Sequence, residues 1–255
     1  MLAMQKAHKT SWESSANWYD RTVGEKGHYY HQQVILPKLL RLFDFSHSKN
    51  PALLDLACGQ GILARHLPTN VAYVGIDASA SLIKAAKKYD PKHQFYTSDV
   101  TTPLPITQKD FSHATVILAL QNIADGQAVL KNAHLHLREK GRLFLVLNHP
   151  AFRIPRQSSW GIDPSKKLQY RRIDRYFSPL KIPIQTHPGQ PESSSQTWTF
   201  HHPLSTYCHW LKSSGFSIEL IDEWLSDKKS IGKTAAMENR SRDEFPLFMT
   251  IVAKK

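Results

Sequence analysis

Short apolar runs alternate with longer amphipathic stretches from residue 52 to residue 147. The runs 52–57, 71–77, 94–98, 113–119 and 142–147 read as strands, since apolar runs of this length bounded by turn residues suit a buried strand. Between them, 60–67, 79–89 and the region near 126–137 read as helices, the second opened by the capping residue Ser79. Lys140-Gly141 marks a turn before the fifth strand. Repeated strand-helix units of this length imply a parallel sheet with right-handed crossovers. Downstream, Pro203 to Ser214 predicts a helix, Phe216 to Ile221 a strand, and Leu247 to Ala253 the last strand. Upstream, His31 to Phe43 has the spacing of an amphipathic helix, and Pro37 inside it predicts a kink or a later start. Residues 10–32 hold Trp12, Trp18, Tyr19, Tyr29 and Tyr30, too aromatic for a disordered tail and too irregular for one helix.

The alternation breaks over 149–202, a stretch rich in Pro, Ser, Arg and aromatic residues. Within it, Tyr170–Phe177 and Gln196–His201 are expected to pair as strands. Its length and position predict a lid over the carboxyl edge of the sheet, where open α/β sheets bind ligands. Charge sharpens this picture. The chain carries +12 overall, and half of that excess lies between Arg153 and Lys181: eight Lys and Arg (Arg153, Arg156, Lys166, Lys167, Arg171, Arg172, Arg175, Lys181) against Asp163 and Asp174.

Composition bounds the rest. At 255 residues and 41 % hydrophobic, the chain can build a sizeable core. No apolar run reaches the roughly 18 residues of a membrane span, and Met1 to Trp12 lacks the apolar centre of a signal peptide. Cys58 and Cys208 are too few for a disulfide framework, so a cytoplasmic home is expected. Fourteen histidines show no metal-ligand spacing, and His201 and His202 would face opposite ways on a strand. No metal site is expected.

Residues 53–61, Leu-Leu-Asp-Leu-Ala-Cys-Gly-Gln-Gly, carry the chemistry. A strand running into a glycine turn and a helix start lets backbone approach a nucleotide. Gly59-x-Gly61-x-x-Ala64 taken alone also fits a dinucleotide fingerprint. Three carboxylates favour another ligand. Asp55 sits in the strand just before the turn, where it would repel a pyrophosphate and welcome an ammonium. Asp77 ends the second strand, where it can accept both ribose hydroxyls. Asp99 follows the third, offering an acceptor for an exocyclic amine, with Val100 as a wall for a purine.

The ordered series Asp55-Leu-Ala-Cys-Gly59-Gln-Gly61, Gly75-Ile-Asp77 and Ser98-Asp99-Val100 resembles the motifs of class I S-adenosylmethionine (SAM) methyltransferases, with Ala57 where the family more often has Gly. The resemblance is strong over 50–148 and looser over 203–255. It implies a Rossmann-like α/β fold: a seven-stranded, mostly parallel sheet flanked by helices, with an antiparallel last strand and an inserted lid. The expected organisation is a helical cap or flap over 1–50, a SAM-binding core over 51–148, a basic aromatic lid over 149–202 and the remainder of the sheet over 203–255. SAM is the implied cofactor. Its expected contacts are Asp55, Ala57, Cys58, Gly59 and Gly61 at the turn, then Asp77, Ala78, Ser79, Asp99 and Val100. Leu118, Gln121 and Asn122 at the end of the fourth strand would line the space toward the acceptor, and Tyr19 would belong to an N-terminal flap.

His149, His28 and His31 are the candidate general bases, needed only if the acceptor must lose a proton. Asn148-His149-Pro150-Ala151-Phe152 resembles the motif of amino-group methyltransferases, but that motif closes the fourth strand and this one follows the fifth. Amino methylation is therefore not expected. The helix preceding Ser214-Gly215-Phe216 resembles enzymes modifying quinones and metabolites, which points to a small, anionic or aromatic acceptor. Two other readings stay open: an RNA methyltransferase using Arg171, Arg172 and Arg175 interleaved with Tyr170, Tyr176 and Phe177, and a non-catalytic SAM-binding or NAD-type protein.

Overall fold

A computed structural model describes residues 12–46, 48–185 and 196–255. After a 3-10 turn at Glu13–Ser15, the aromatic segment forms a helix, Ala16–Val23 (α1), that stops at Gly24. A π-helical turn, His31–Ile35, then feeds Leu36–Leu42 (α2), with Pro37 in its first turn. The helical run passes unbroken from the π-helical turn into α2, so the effect expected of Pro37 appears as that π-helical turn just before it and not as a later start.

The core alternates as its apolar pattern predicts: Ala52–Leu56 (β1), Ala72–Asp77 (β2), Ala80–Tyr89 (α3), Gln94–Thr97 (β3), Phe111–Ile117 (β4), Gly126–His136 (α4) and Leu137–Asn148 (β5). Beyond β5 come Ser158–Asp163 (β6), Leu168–Ile173 (β7), Leu180–Gln185 (β8) and Gln196–His201 (β9). Leu204–Ser213 (α5), Ser217–Trp224 (β10), Ala235–Arg242 (α6) and Phe248–Lys254 (β11) close the chain. Seven strands form one sheet in the order β10-β11-β5-β4-β1-β2-β3, with β11 antiparallel to both neighbours and the other pairs parallel.

Alternate residues of each strand feed two cores, one per face of the sheet. Leu54, Ile76, Val116, Leu145 and Ile251 meet Leu130 of α4 and Leu211 of α5 on one side. Leu53, Tyr73, Val146 and Val252 meet Leu39 of α2 and Ile83 of α3 on the other. Each fully buried aliphatic side chain stabilises the fold by roughly 1.5–3 kcal/mol, so this two-sided burial fixes the strand register.

Three expectations are corrected. Residues 60–67 form turns and one 3-10 turn, Ala64–His66, rather than a helix. Gly61 is left-handed at φ +71°, Arg65 donates its own guanidinium to the Gln60 carbonyl, and Pro68 forces Leu67 extended. The turn at Lys140-Gly141 lies inside β5 as a bulge, since Phe111 and His113 of β4 pair with Leu137 and Arg142. In the insertion, Tyr170–Phe177 and Gln196–His201 do not pair with each other. β7 pairs with β6 and β9 with β8, giving two separate antiparallel hairpins. The short helix α6 was not legible from the sequence, being nearly all polar.

Candidate active site

β1 ends at Leu56, and Ala57, Gly59 and Gly61 then take φ of +57°, +57° and +71°. Alanine in this region costs of order 1 kcal/mol, as does Leu118, at φ +52° just beyond β4. Both residues border a cavity of about 860 Å³ above the carboxyl ends of the parallel strands. Small-ligand sites run to roughly 300–1,000 Å³, so there is room for a nucleoside and a second small molecule.

One end of this cavity is bordered by Tyr19, Ala57, Gly59, Asp77, Ala78, Asp99, Val100 and Leu118. The Asp77 carboxylate accepts the Gly59 N–H at 2.9 Å and the Ser79 N–H at 2.8 Å. Burial pushes its pKa up, and those two N–H groups oppose the shift. The turn's amides are therefore already used: Cys58 N–H goes to the Ile76 carbonyl and Gly61 N–H to the Cys58 carbonyl. A pyrophosphate would need those amides and finds carboxylates instead, which argues against the dinucleotide reading. Carboxylates with spare lone pairs suit ribose hydroxyls and an exocyclic amine. A Cβ on Gly59 would stand 3.6 Å from the Tyr19 ring, so Tyr19 lies directly over the turn. Burial and the Asp77 charge both raise the Tyr19 pKa, which keeps the phenol neutral.

Several expected contacts lie elsewhere. Asp55 is buried between strands, accepting from Tyr73 Oη at 2.8 Å and Thr115 Oγ1 at 2.7 Å, and burial lifts its pKa to about 7. It ties β1 to β2 and β4 and does not border the cavity. Cys58 packs beneath the turn: its Sγ would lie 2.8 Å from a Cβ on Gly75, and burial pushes its thiol pKa up, away from nucleophilic behaviour. A Cβ on Gly61 would strike Phe95 at 2.7 Å, so this glycine serves packing rather than ligand approach. Ser79 caps α3, accepting the Leu82 N–H, and donates to Glu13 at 2.5 Å. Gln121 pairs through both ends of its amide with the backbone of Asn148, which clamps β5 to the end of β4.

The histidines separate sharply. His28 is exposed and does not border the cavity. His149 is buried but fully engaged, with Nδ1 facing the Ala151 and Phe152 N–H groups and Nε2 lying 2.6 Å from Glu223. Because Nδ1 accepts, Nε2 carries the proton, and neither nitrogen is left for a substrate. The candidate base His149 is a turn-capping residue. His31 does border the cavity, is 9 % exposed, and its Nδ1 has no hydrogen-bond partner among the described residues. Burial lowers its pKa to about 4, so it is neutral at physiological pH.

Apart from Asn122, the far end of the cavity was missed by sequence reasoning. Asn122 and Asn148 border it from the ends of β4 and β5, and Trp12 and Trp18 from the N-terminal segment. Lys181, Ile184, Thr197, Trp198 and Thr199 border it from the β8–β9 hairpin, where Thr199 Oγ1 donates to Asn122 Oδ1 at 3.3 Å. Of the eight basic residues of Arg153–Lys181, only Lys181 reaches the cavity. Among the described residues no group of three or more His, Cys, Asp or Glu could hold a metal ion, and no helix is long and apolar enough to cross a membrane.

This fold and this donor set suit the binding of a nucleoside at the carboxyl edge of the sheet. Residues 54–145 match the model of a methyltransferase domain family. The chain is 31 % identical over 97 residues to a demethylmenaquinone methyltransferase of Thermotoga maritima, covering 37 % of this chain and 42 % of that protein. It is 32 % identical over 100 residues to a ubiquinone biosynthesis O-methyltransferase of Coxiella burnetii, covering 38 % and 43 %. The matched region thus spans less than half the length of these relatives. Among solved structures, a SAM-dependent methyltransferase from Mesorhizobium loti aligns with a TM-score of 0.67 at 22 % identity, over 91 % of this chain and 100 % of its own. A SAM-bound amino pentose methyltransferase from Micromonospora echinaspora aligns with a TM-score of 0.59 at 13 % identity, over 100 % and 98 %. At these identities the structures speak for the fold. Residues 54–145 are thus similar to a methyltransferase domain, and the fold is the one shared by these SAM-dependent methyltransferase structures.

Proposed function

We propose that this chain transfers a methyl group from SAM to a small-molecule acceptor held in the same cavity. The observation carrying this reading is the division of one 860 Å³ cavity between two chemistries. Gly59, Asp77, Asp99 and Val100 suit a nucleoside with a cationic amino-acid arm. His31, Asn122, Asn148 and the β8–β9 hairpin surround the remaining space. Bound SAM supplies a methyl carbon activated by a sulfonium. The protein's part is to hold the acceptor in line and exclude water, and such alignment can supply much of the barrier reduction. Trp12, Trp18 and Tyr19 cover the site from the N-terminal segment. His31 borders the same space and is neutral, so it is the candidate to take the proton that an acceptor hydroxyl sheds as its oxygen bonds to carbon.

Calorimetry tests the assignment. SAM and its demethylated product should bind and NAD should give no saturable heat. Asp77→Ala should weaken SAM at least about tenfold, or about 1.4 kcal/mol. Unchanged SAM affinity in that variant would remove the pocket assignment.

A further inference from the structure

Among the described residues, Lys181 is the only Lys or Arg bordering the cavity, against three acids, Asp77, Asp99 and Asp125. It also differs from its basic neighbours. Arg172 pairs with Asp174 at 2.6 Å, Lys166 with Asp163 at 3.8 Å, and Arg171 donates to the Phe152 carbonyl and to Ser158. Lys181 has no acidic partner among the described residues; its Nζ lies 4.3 Å from the centre of the Trp198 ring. The pairing Lys181↔Phe200 and Pro183↔Trp198 makes Lys181 and Trp198 diagonal neighbours on one face of the hairpin. A cation–π contact of this kind restrains a flexible ammonium without neutralising it. Among the described residues the site therefore presents one restrained positive charge without an acidic partner, beside aromatic walls from Trp18, Trp198 and Phe200.

Resting on the methyltransferase reading, we propose that the acceptor is a planar aromatic acid whose carboxylate is anchored by Lys181, with Trp198 positioning the ammonium. The carboxylates at the cofactor end orient such a molecule. They repel its anionic group and match the cationic donor, so the acid group is drawn to the hairpin and the rest of the ring system is left free toward His31 and Asn122. Lys181 acts as a specificity residue and takes no part in the chemical step.

The test uses the full chain saturated with demethylated SAM, and compares hydroxybenzoates and hydroxycinnamates with their methyl esters by calorimetry and tryptophan fluorescence. The acids should bind at least about tenfold more tightly than the matched esters. Lys181→Met should bring the acids to the ester level while leaving affinity for demethylated SAM within about twofold, which also shows the variant is folded. Lys181→Arg should keep the preference. Equal binding of acids and esters, no saturable binding of any acid, or a preference that survives Lys181→Met would each overturn the proposal and leave the methyltransferase reading standing. Failure of the wild-type chain to bind demethylated SAM would instead strike the methyltransferase reading itself.

Discussion

The two hairpins of the insertion share a composition and part company in use. β6–β7 leans on the body: Trp160 meets Phe245 edge-on at 5.4 Å, Arg171 lies over Trp160 at 5.0 Å, and Ser241 and Arg240 of α6 donate to the Gln169 and Lys167 carbonyls. β8–β9 borders the cavity and is tied to the end of β4 through Thr199 and Asn122. Aromatic-basic pairs thus do two jobs in one insertion. Arg171 with Trp160 fills a packing contact, and Lys181 with Trp198 faces a ligand space. Within the set Arg171, Arg172, Arg175, Tyr170, Tyr176 and Phe177, Arg171 donates to the Phe152 carbonyl and Tyr176 Oη accepts the Leu204 N–H, whereas Arg172 pairs with Asp174 at the surface and Tyr170 and Phe177 are exposed.

Trp198→Ala should break the cavity side most severely. Losing an aromatic wall worth roughly 1.5–3 kcal/mol should weaken aromatic-acid binding about ten- to a hundredfold. Trp160→Ala should leave that affinity within about twofold and cost about 1 kcal/mol of stability, read by urea unfolding. Reversed outcomes would mean the two hairpins have been assigned the wrong way round.

The same division runs through the buried histidines. His113 lies in the core, stacked on Phe144 at 5.7 Å, and burial lowers its pKa to about 4, as it does for His31 at the cavity. A base with a folded pKa below its unfolded value binds fewer protons when folded. Its contribution is complete above about pH 6.5 and is lost as pH falls toward 4. Asp55, with its raised pKa, acts in the opposite direction over part of this range, so the difference between variants is the cleaner measurement. His113→Phe should remove up to one proton, about 1.4 kcal/mol per pH unit, from the slope of unfolding free energy between pH 6.5 and 4. It should not alter SAM affinity. An unchanged slope would show that His113 does not titrate in this range.

The smallest effect concerns the tether. Thr199→Val should cost about 0.5–1 kcal/mol and speed amide exchange in β8–β9 while leaving β6–β7 unaffected. Equal acceleration in both hairpins would mean they open as one unit.

What could be read from the chain was whatever rests on near neighbours. Apolar runs of strand length, Ser79 as a cap and the acids Asp77 and Asp99 at successive strand ends pointed to the sheet, its alternation and one end of the cavity, because those patterns are set by backbone period and turn chemistry. Asp77, Asp99 and Val100 were legible for that reason. Residues whose role depends on a distant partner were not. Asp55 faces Tyr73 and Thr115, His149 faces Glu223 across 74 residues, and Gly61 answers to Phe95. Sequence spacing alone could not distinguish these from ligand contacts. In the insertion, two pairing schemes were compatible with the same alternating residues, and only tertiary contacts with α6 on one side and with Asn122 on the other selected one. The sequence by itself determined the alternating α/β fold and pointed to the methyl donor proposed for it. The tertiary structure decided which histidine and which single lysine face the cavity, because those depend on long-range packing that no local pattern encodes.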